Sequence, residues 1–266
     1  MRLIFKRPPL RDTNDDRTKL LYDTAPLSMR DLLDIMWQRH TCRAAFDPNK
    51  KICEPDLQRI LDAARWAPTA HNLQNFEIIA VDDAHRLAAI RAIRLPPAET
   101  LVGENSRHLS LSEAELLRRR TGLLASMFPE SWKETDPATG ENAGAPIHIY
   151  LGRTIEKCPL LLVVVHDCRL EVPAAEGDSL GLMSLGCVMQ NLWLITESLG
   201  ISMQVLSGLG TNDVEVQVQS ILGIPLHLKI GFAARLGYPL TAPESHLRVR
   251  RRIQDFAHRN RYTAPP

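Results

Sequence analysis

Two long apolar segments constrain how this chain can fold. Leu160–Val165 is a nearly continuous run of leucine and valine, which is typical of a strand that is covered on both faces. Ser179–Leu199 is apolar almost all round over a helical length, which predicts a central buried helix. The chain is therefore expected to form a sheet with helices packed against it.

The remaining elements follow from hydrophobic periodicity and from glycine and proline punctuation. Helices are predicted from about Ser28 to the basic cluster at Arg39, from Pro55 to before Pro68, and over Ala84–Arg94, Ser112 to about Met127, and Asn212–Leu222. Strands are predicted at Phe76–Val81, Ser202–Leu206 and Lys229–Leu236, the last with Ile230, Phe232, Ala234 and Leu236 all facing inward. This order indicates one α+β domain over residues 28–262 with a mixed central sheet, an extended arm at 1–27, and an insertion or lid at about 95–157.

Composition excludes several classes of protein. Charge is balanced, with 32 basic and 31 acidic residues, so the chain as a whole has no bias toward polyanions. The five cysteines are scattered without metal-ligand spacing, which predicts reduced thiols in a cytoplasmic protein and argues against a metal site. Residues 1–25 lack the apolar core of a signal peptide, and runs such as Leu160–Val165 are too short to cross a bilayer. We expect a cytoplasmic protein that does not enter a membrane.

A basic cluster ends the first predicted helix. Arg39-His40-Thr41-Cys42-Arg43 places two guanidinium groups, an imidazole and a hydroxyl within five residues, a set that suits a phosphate monoester. A solvated helix C-terminus, where cations complement the helix dipole, remains an alternative for this segment taken alone.

Four separated parts of the chain together resemble the FMN-dependent nitroreductase family. They are Arg39–Arg43 followed by Phe46; the loop Pro68-Thr69-Ala70-His71-Asn72-Leu73-Gln74; Gly200-Ile201 to Ser207-Gly208; and the C-terminal Gly237-Tyr238-Pro239, Arg248-x-Arg250 and His258–Tyr262. Two departures stand out: an extra alanine lies between Arg43 and Phe46, and Asn75-Phe76 replaces the usual Pro-Trp.

The resemblance implies a nitroreductase-like fold with a mainly antiparallel sheet and an intertwined homodimer. It also implies FMN as cofactor, NADH or NADPH as electron donor, and a small organic acceptor such as a nitroaromatic, quinone or enone, reduced by a ping-pong mechanism. The dianionic phosphate would be held by Arg39, Arg43, Arg248 and Arg250, with His40 and Thr41 as further partners.

The same resemblance assigns two segments to the flavin ring. The loop residues Thr69, Ala70, Asn72 and Gln74 would reach the flavin of the other subunit. Backbone N–H groups of Val205, Leu206, Ser207 and Gly208 would face the N5/O4 region, where they would stabilise negative charge. No catalytic side chain is assigned, although His71 and Ser207 are candidates for one.

Two other functions remain open at this stage. A protein of the same fold could store or process FMN without consuming NAD(P)H. The arginine-rich segment Arg248–Arg261, with Phe256 and Tyr262 close by, could instead track a nucleic acid backbone. Nucleic acid is the less favoured partner, because the rest of the chain is not basic.

Overall fold

The sheet is built around strand β2, which pairs on both sides. The structure, a computed structural model, describes residues 27–93, 111–124, 155–170, 172–173, 177–210, 212–241 and 247–263. Among these residues the strand order is β1 (Phe76–Val81), β2 (Leu160–Asp167), β4 (Leu228–Gly237) and β3 (Ser202–Leu206). All three pairings are antiparallel. The predicted α+β class with a mainly antiparallel sheet is thereby confirmed.

The chain divides into two compact units. The first comprises Leu27–Pro96 and Ile149–Pro243, and the second comprises Met1–Pro26, Pro97–His148 and Glu244–Pro266. In the described part of the chain, the first unit holds the sheet and five helices: α1 (Leu27–Gln38), α2 (Glu54–Arg65), α3 (Ala84–Arg91), α5 (Ser179–Ser198) and α6 (Asn212–Leu222). The second holds α4 (Glu113–Arg119). Residues 1–26 of the predicted arm lie outside the described residues, and so does most of the predicted insertion.

Both faces of β2 are buried, as its composition predicts. One face packs with α3 and α6 in a core that includes Ile90 and Val218, and the other packs with α2 and α5 in a core that includes Ile60 and Leu192. The alternating side chains of β2 divide evenly between these cores: Leu161, Val163 and Val165 on the first face, and Leu160, Leu162 and Val164 on the second. A strand with no solvated face gains hydrophobic stabilisation along its whole length.

The side-chain alternation predicted for β4 is interrupted by a bulge. Val164 pairs with Phe232 but the next residue, Val165, pairs with Ile230, so Gly231 is the extra residue. An extra residue reverses the alternation that follows it. Ile230 therefore lies in the core with α6, whereas its predicted companions lie in the core with α5: Phe232, Ala234 and Leu236.

Helix α5 is only half covered within the chain, so its predicted complete burial is wrong here. Its buried residues form one stripe against the sheet: Gly181, Ser184, Leu185, Val188, Leu192 and Thr196. On the opposite side Leu182 and Met183 are 57% and 67% exposed. The helix is long and apolar enough to cross a bilayer, but a core helix that packs on a sheet passes the same test, so this is weak support for a membrane span.

A left-handed residue follows the end of both α5 and α4. At α5, Gly200 has φ +70° and its N–H donates to Glu197 O (3.0 Å), while Ile201 N–H donates to Thr196 O (2.8 Å), which is a Schellman motif. At α4, Ser112 Oγ accepts from Glu115 N–H as predicted. That helix nevertheless ends at Arg119 rather than near Met127, because left-handed Arg120 is followed by Gly122 at φ +102°.

Candidate functional site

The basic segment Arg39–Arg43 is held at its start by α5. Arg39 N–H makes a last helical bond to Ile35 O (2.9 Å). The Arg39 guanidinium lies 4.3 Å from the centre of the Trp193 ring, and Trp193 Nε1 donates to His40 O (3.3 Å). A cation over an indole face is attracted by the ring quadrupole. Trp193, which the sequence suggests only as a core residue, therefore orients the start of the cluster.

Arg235 of β4 holds the other end of the segment. Its Nη2 donates to Cys42 O (3.1 Å) and to Ala44 O (2.9 Å), and its Nε donates to Gln204 Oε1 (2.6 Å). Its side chain is buried and also lies 4.5 Å from the centre of the Phe46 ring. Burial lowers the pKa of Arg235 to about 10, so the group is charged at neutral pH.

The segment also runs beside the end of the sheet. Cys42 N–H donates to Met203 O on β3 (3.1 Å), and Phe46 forms a bridge with Pro239 after β4. Two segments that carry the resemblance, Arg39–Arg43 and the stretch Gly200–Gly208 that contains β3, are thus joined at Met203. The extra alanine before Phe46 is accommodated here, since Ala45 O accepts from Leu240 N–H (2.9 Å).

His40 and Cys42 influence each other within this cluster. Interaction with the Cys42 side chain raises the pKa of His40, outweighing the opposing effect of burial. Burial by itself would raise the pKa of Cys42, but bonds with His40, Ala44 and Ser202 leave it lowered. His40 Nδ1 lies 3.2 Å from Gln38 O. His40 Nε2 is buried without a hydrogen-bond partner of good geometry among the described residues.

The loop after α2 has an unusual backbone. His71, Asn72 and Gln74 have φ values of +52°, +53° and +46°, a left-handed conformation that costs about 1–2 kcal/mol per residue for most side chains. Thr69 Oγ1 accepts from Gln74 N–H (3.1 Å), and Gln74 Nε2 donates to Asn72 Oδ1 (3.1 Å). These bonds hold the loop with its three left-handed side chains exposed to solvent.

Helix α5 also anchors this loop. Ala70 N–H donates to Ser184 Oγ (3.0 Å), and Ser184 Oγ in turn donates to Leu180 O (2.8 Å). Ser184 and Trp193 are nine residues apart on the helix, or roughly 13 Å at 1.5 Å per residue. The loop and the basic cluster are therefore fixed at separate points along one helix. Because the Ala70 N–H is already engaged, this loop could offer a ligand chiefly its side chains.

The residues that follow β3 are exposed. Leu206 is buried in the core with α6, whereas Ser207 and Gly208 are exposed. A Cβ at Gly208 would meet nothing within 4 Å, so the protein itself does not require glycine at this position. This fits the prediction that Gly208 leaves room for a ligand.

Arg248 and Arg250 belong to the second unit. Val249 between them is buried with Leu116 and Leu124, which anchors the segment on α4. Arg250 Nη1 donates to Val249 O (2.7 Å). Because Arg39 and Arg43 lie in the first unit, the clamp formed by all four arginines stays a prediction.

Comparisons with known proteins agree with this geometry. The model of the Nitroreductase family matches residues 36–238. The fold is similar to an FMN-dependent nitroreductase from Clostridium difficile R20291 (13% identity, TM-score 0.55, covering 86% of this chain and 99% of that one). It is also similar to a nitroreductase with bound FMN from Desulfitobacterium hafniense DCB-2 (19% identity, TM-score 0.51, covering 86% and 98%).

One curated relative shares a short stretch of sequence. An enone reductase of CLA biosynthesis from Lactiplantibacillus plantarum is 46% identical over 52 residues, which is 20% of this chain and 24% of that enzyme. The chain thus matches about a quarter of that relative's length. The family model, in contrast, spans most of the chain and includes both the basic cluster and the end of β3. This chain belongs to the Nitroreductase family.

Proposed function

We propose that this protein is an FMN-dependent oxidoreductase that passes hydride from NADH or NADPH to a small organic acceptor. The observation that carries the proposal is the basic segment Arg39–Arg43, fixed by Trp193 at its start and by Arg235 at its end, and bonded to β3 at Met203. An anion site on the strand that leads to the exposed residues Ser207 and Gly208 suits a ligand with a phosphate at one end and a polar ring at the other.

Different residues would bind the phosphate and the ring of FMN. Arg39 and Arg43 would bind the phosphate together with His40, whose Nε2 lacks a partner of good geometry in the described structure. Ser207 and Gly208 would offer N–H groups to the ring. When bound, the cofactor supplies hydride transfer through its N5 atom, and the chain contributes position and electrostatics. The two substrates would use the same open face of the ring in turn.

The proposal includes a homodimer with two composite flavin sites. It is supported by the uncovered side of α5, with exposed Leu182 and Met183, and by an open apolar groove of about 350 Å³ lined in part by Ile35, Trp66 and Leu194. Contiguous exposed apolar surface of this kind commonly marks an interface. The loop Thr69–Gln74, fixed about 13 Å along α5 from the basic cluster of its own chain, would then serve the partner's flavin.

An absorbance spectrum of the purified protein tests the cofactor. Flavin bands near roughly 370 and 450 nm, a property of the cofactor, should be present or should appear in the bound fraction after FMN is added. A protein that binds no FMN under either condition would contradict the proposal. Anaerobic stopped-flow mixing with NADH and then NADPH would identify the electron donor. The similarity to an enone reductase makes an enone the first acceptor to try, before a quinone and a nitroaromatic.

Turnover separates this proposal from its alternatives. A storage or flavin-processing protein would bind FMN but would not consume NAD(P)H in the presence of an acceptor. A nucleic-acid-binding protein would bind DNA or RNA in a salt-sensitive manner and would be colourless. Within the C-terminal segment, Arg252 is paired with Asp255 (3.0 Å) and Arg251 lies over the Phe256 ring, so these two arginines already have local partners.

We also propose that the protein works in the cytoplasm. All five cysteines are free thiols, as expected of a reducing compartment. Thiol titration of protein from freshly lysed cells should find all five reduced. A disulfide present before lysis would contradict this assignment.

A further inference from the structure

One deeply buried cation of the first unit, Arg235, is not among the predicted phosphate ligands. Arg235 is 1% exposed, and three of its hydrogen bonds go to neutral acceptors, namely the Gln204 amide and the carbonyls of Cys42 and Ala44. A buried charge is expensive, and an apolar side chain of similar volume often serves the fold as well or better. Core packing alone therefore does not account for an arginine at this position.

The three bonds point to a different role. Cys42 and Ala44 are the residues on either side of Arg43, so Arg235 fixes the backbone immediately before and after that predicted phosphate ligand. These two bonds link residues that are 193 and 191 positions apart in the sequence. The planar guanidinium can bind Gln204 and both carbonyls at once, because its donors form a rigid fork.

The charge of Arg235 also acts on the site. Arg43 is among the groups that lower the pKa of Arg235, which places the two guanidinium groups within electrostatic range of each other. A buried cation behind the segment adds to the potential that a dianionic ligand would meet, and this effect is less screened by salt than one at the surface.

We propose that Arg235 is a positioning residue for the anion site. It holds residues 42–44 so that the side chains of the basic segment converge on one phosphate, and it adds positive potential behind them. This inference rests on the proposed function, because it takes the phosphate of FMN as the ligand.

The test compares FMN with riboflavin, which has the same ring but no phosphate, by fluorescence titration of the full-length protein. Arg235→Met should weaken FMN binding by about tenfold or more, the loss expected for a misplaced charge-assisted contact, and should leave riboflavin binding unchanged. Arg235→Lys keeps the charge but not the fork, so it should lose part of the preference for FMN. Arg59→Met, which removes an exposed arginine of α2 that is paired with Asp56, is the matched control and should change neither affinity.

The possible results distinguish a positioning role of Arg235 from general support of the fold. If Arg235→Lys or Arg235→Met weakens both flavins equally, the residue supports the fold in general and the inference is wrong. If both variants keep the native preference for FMN, Arg235 does not position the site, while the proposed function stands. If the native protein binds the two flavins equally well, the phosphate assignment itself fails and this inference fails with it. Thermal unfolding shows whether each variant is folded. If the methionine variant does not fold, Arg235→Lys alone carries the comparison.

Discussion

His40 and Cys42 lie two residues apart in the basic segment, and their pKa values shift in opposite directions. The pKa of His40 is raised above its ordinary 6.5 by interaction with the Cys42 side chain. Its contribution to stability is complete below pH 6.5 and is lost as the pH rises through the raised value. The pKa of Cys42 is lowered from 9.0 despite burial. Its contribution is present above pH 9.0 and is lost as the pH falls through the lowered value.

Both shifts predict that the preference for FMN over riboflavin falls as the pH rises from 6.5 to 9. His40 becomes less positive and Cys42 more negative as the pH rises through their shifted pKa values, while the FMN phosphate, with a second pKa of about 6, stays close to dianionic. We expect the affinity ratio to drop by about tenfold, the equivalent of one charge-assisted contact, in fluorescence titrations at several pH values. His40→Gln should flatten the profile, and exposed His85→Gln should not. A ratio that is constant or rises with pH would contradict the prediction.

The four-arginine clamp makes a second prediction at this scale. Arg39→Ala and Arg250→Ala should each weaken FMN binding by about 10-fold to 100-fold, as expected for charge-assisted bonds of roughly 1.5–3 kcal/mol. Neither change should affect riboflavin. If both arginines hold one phosphate, the effects in the double variant should not simply add. Arg65→Ala, on the exposed face of α2, is the control. Native FMN affinity in the double variant would show that the phosphate assignment is wrong.

At the scale of elements, two glycines of β4 pack closely against different side chains. A Cβ at Gly237 would lie 2.7 Å from two ring carbons of Phe46 and 2.9 Å from its Cβ. These atoms cannot move without the segment that carries the basic cluster. A Cβ at Gly231 would lie 2.5 Å from Leu185 Cδ1, which is the end of a side chain that can rotate. The two close contacts therefore differ in how readily they relax.

We predict that Gly237→Ala destabilises the protein more than Gly231→Ala. Overpacking costs about 1–3 kcal/mol, and Gly237→Ala should fall at the upper end of that range and Gly231→Ala at the lower end. The free energy of unfolding from urea denaturation measures both. Gly237→Ala should also weaken FMN binding, because Phe46 follows the basic segment directly. Equal costs, or the reverse order, would show that Phe46 yields as easily as Leu185.

The elements show where prediction from sequence succeeds and where it stops. Periodicity and composition predict β2 and α5 because those signals are local. The alternation in β4 is mispredicted at Ile230 because a bulge depends on the register of a partner strand. The roles of Trp193 and Arg235 are missed for the same reason, since each bonds to backbone more than 150 positions away. The motifs identify candidate ligands of the cofactor but not the residues that hold those ligands in place.

At the scale of the whole molecule, the uncovered side of α5 is where the proposed dimer should be most vulnerable. Leu182→Glu would place a charge on this face, which is costly if the face is buried in an interface. We expect light scattering after size exclusion to show a shift from dimer to monomer, with loss of FMN because each site would need both chains. Leu226→Glu, at a 73% exposed leucine before β4, is the matched control. A native protein that is monomeric would exclude the composite site.

The long-range bonds that hold the basic segment also bear on when the cofactor site can form. Closing a loop of about 190 residues carries an entropic cost that must be offset before the contacts between Arg235 and residues 42–44 become favourable. Because these contacts are made with β4, they can order the segment only once β4 has joined the sheet. A ligand of this segment would bind the native state alone, and at 100 times its Kd it would add about 2.7 kcal/mol to stability. The supply of cofactor would then set how long each newly made chain survives in the cell, separately from how fast it turns over substrate.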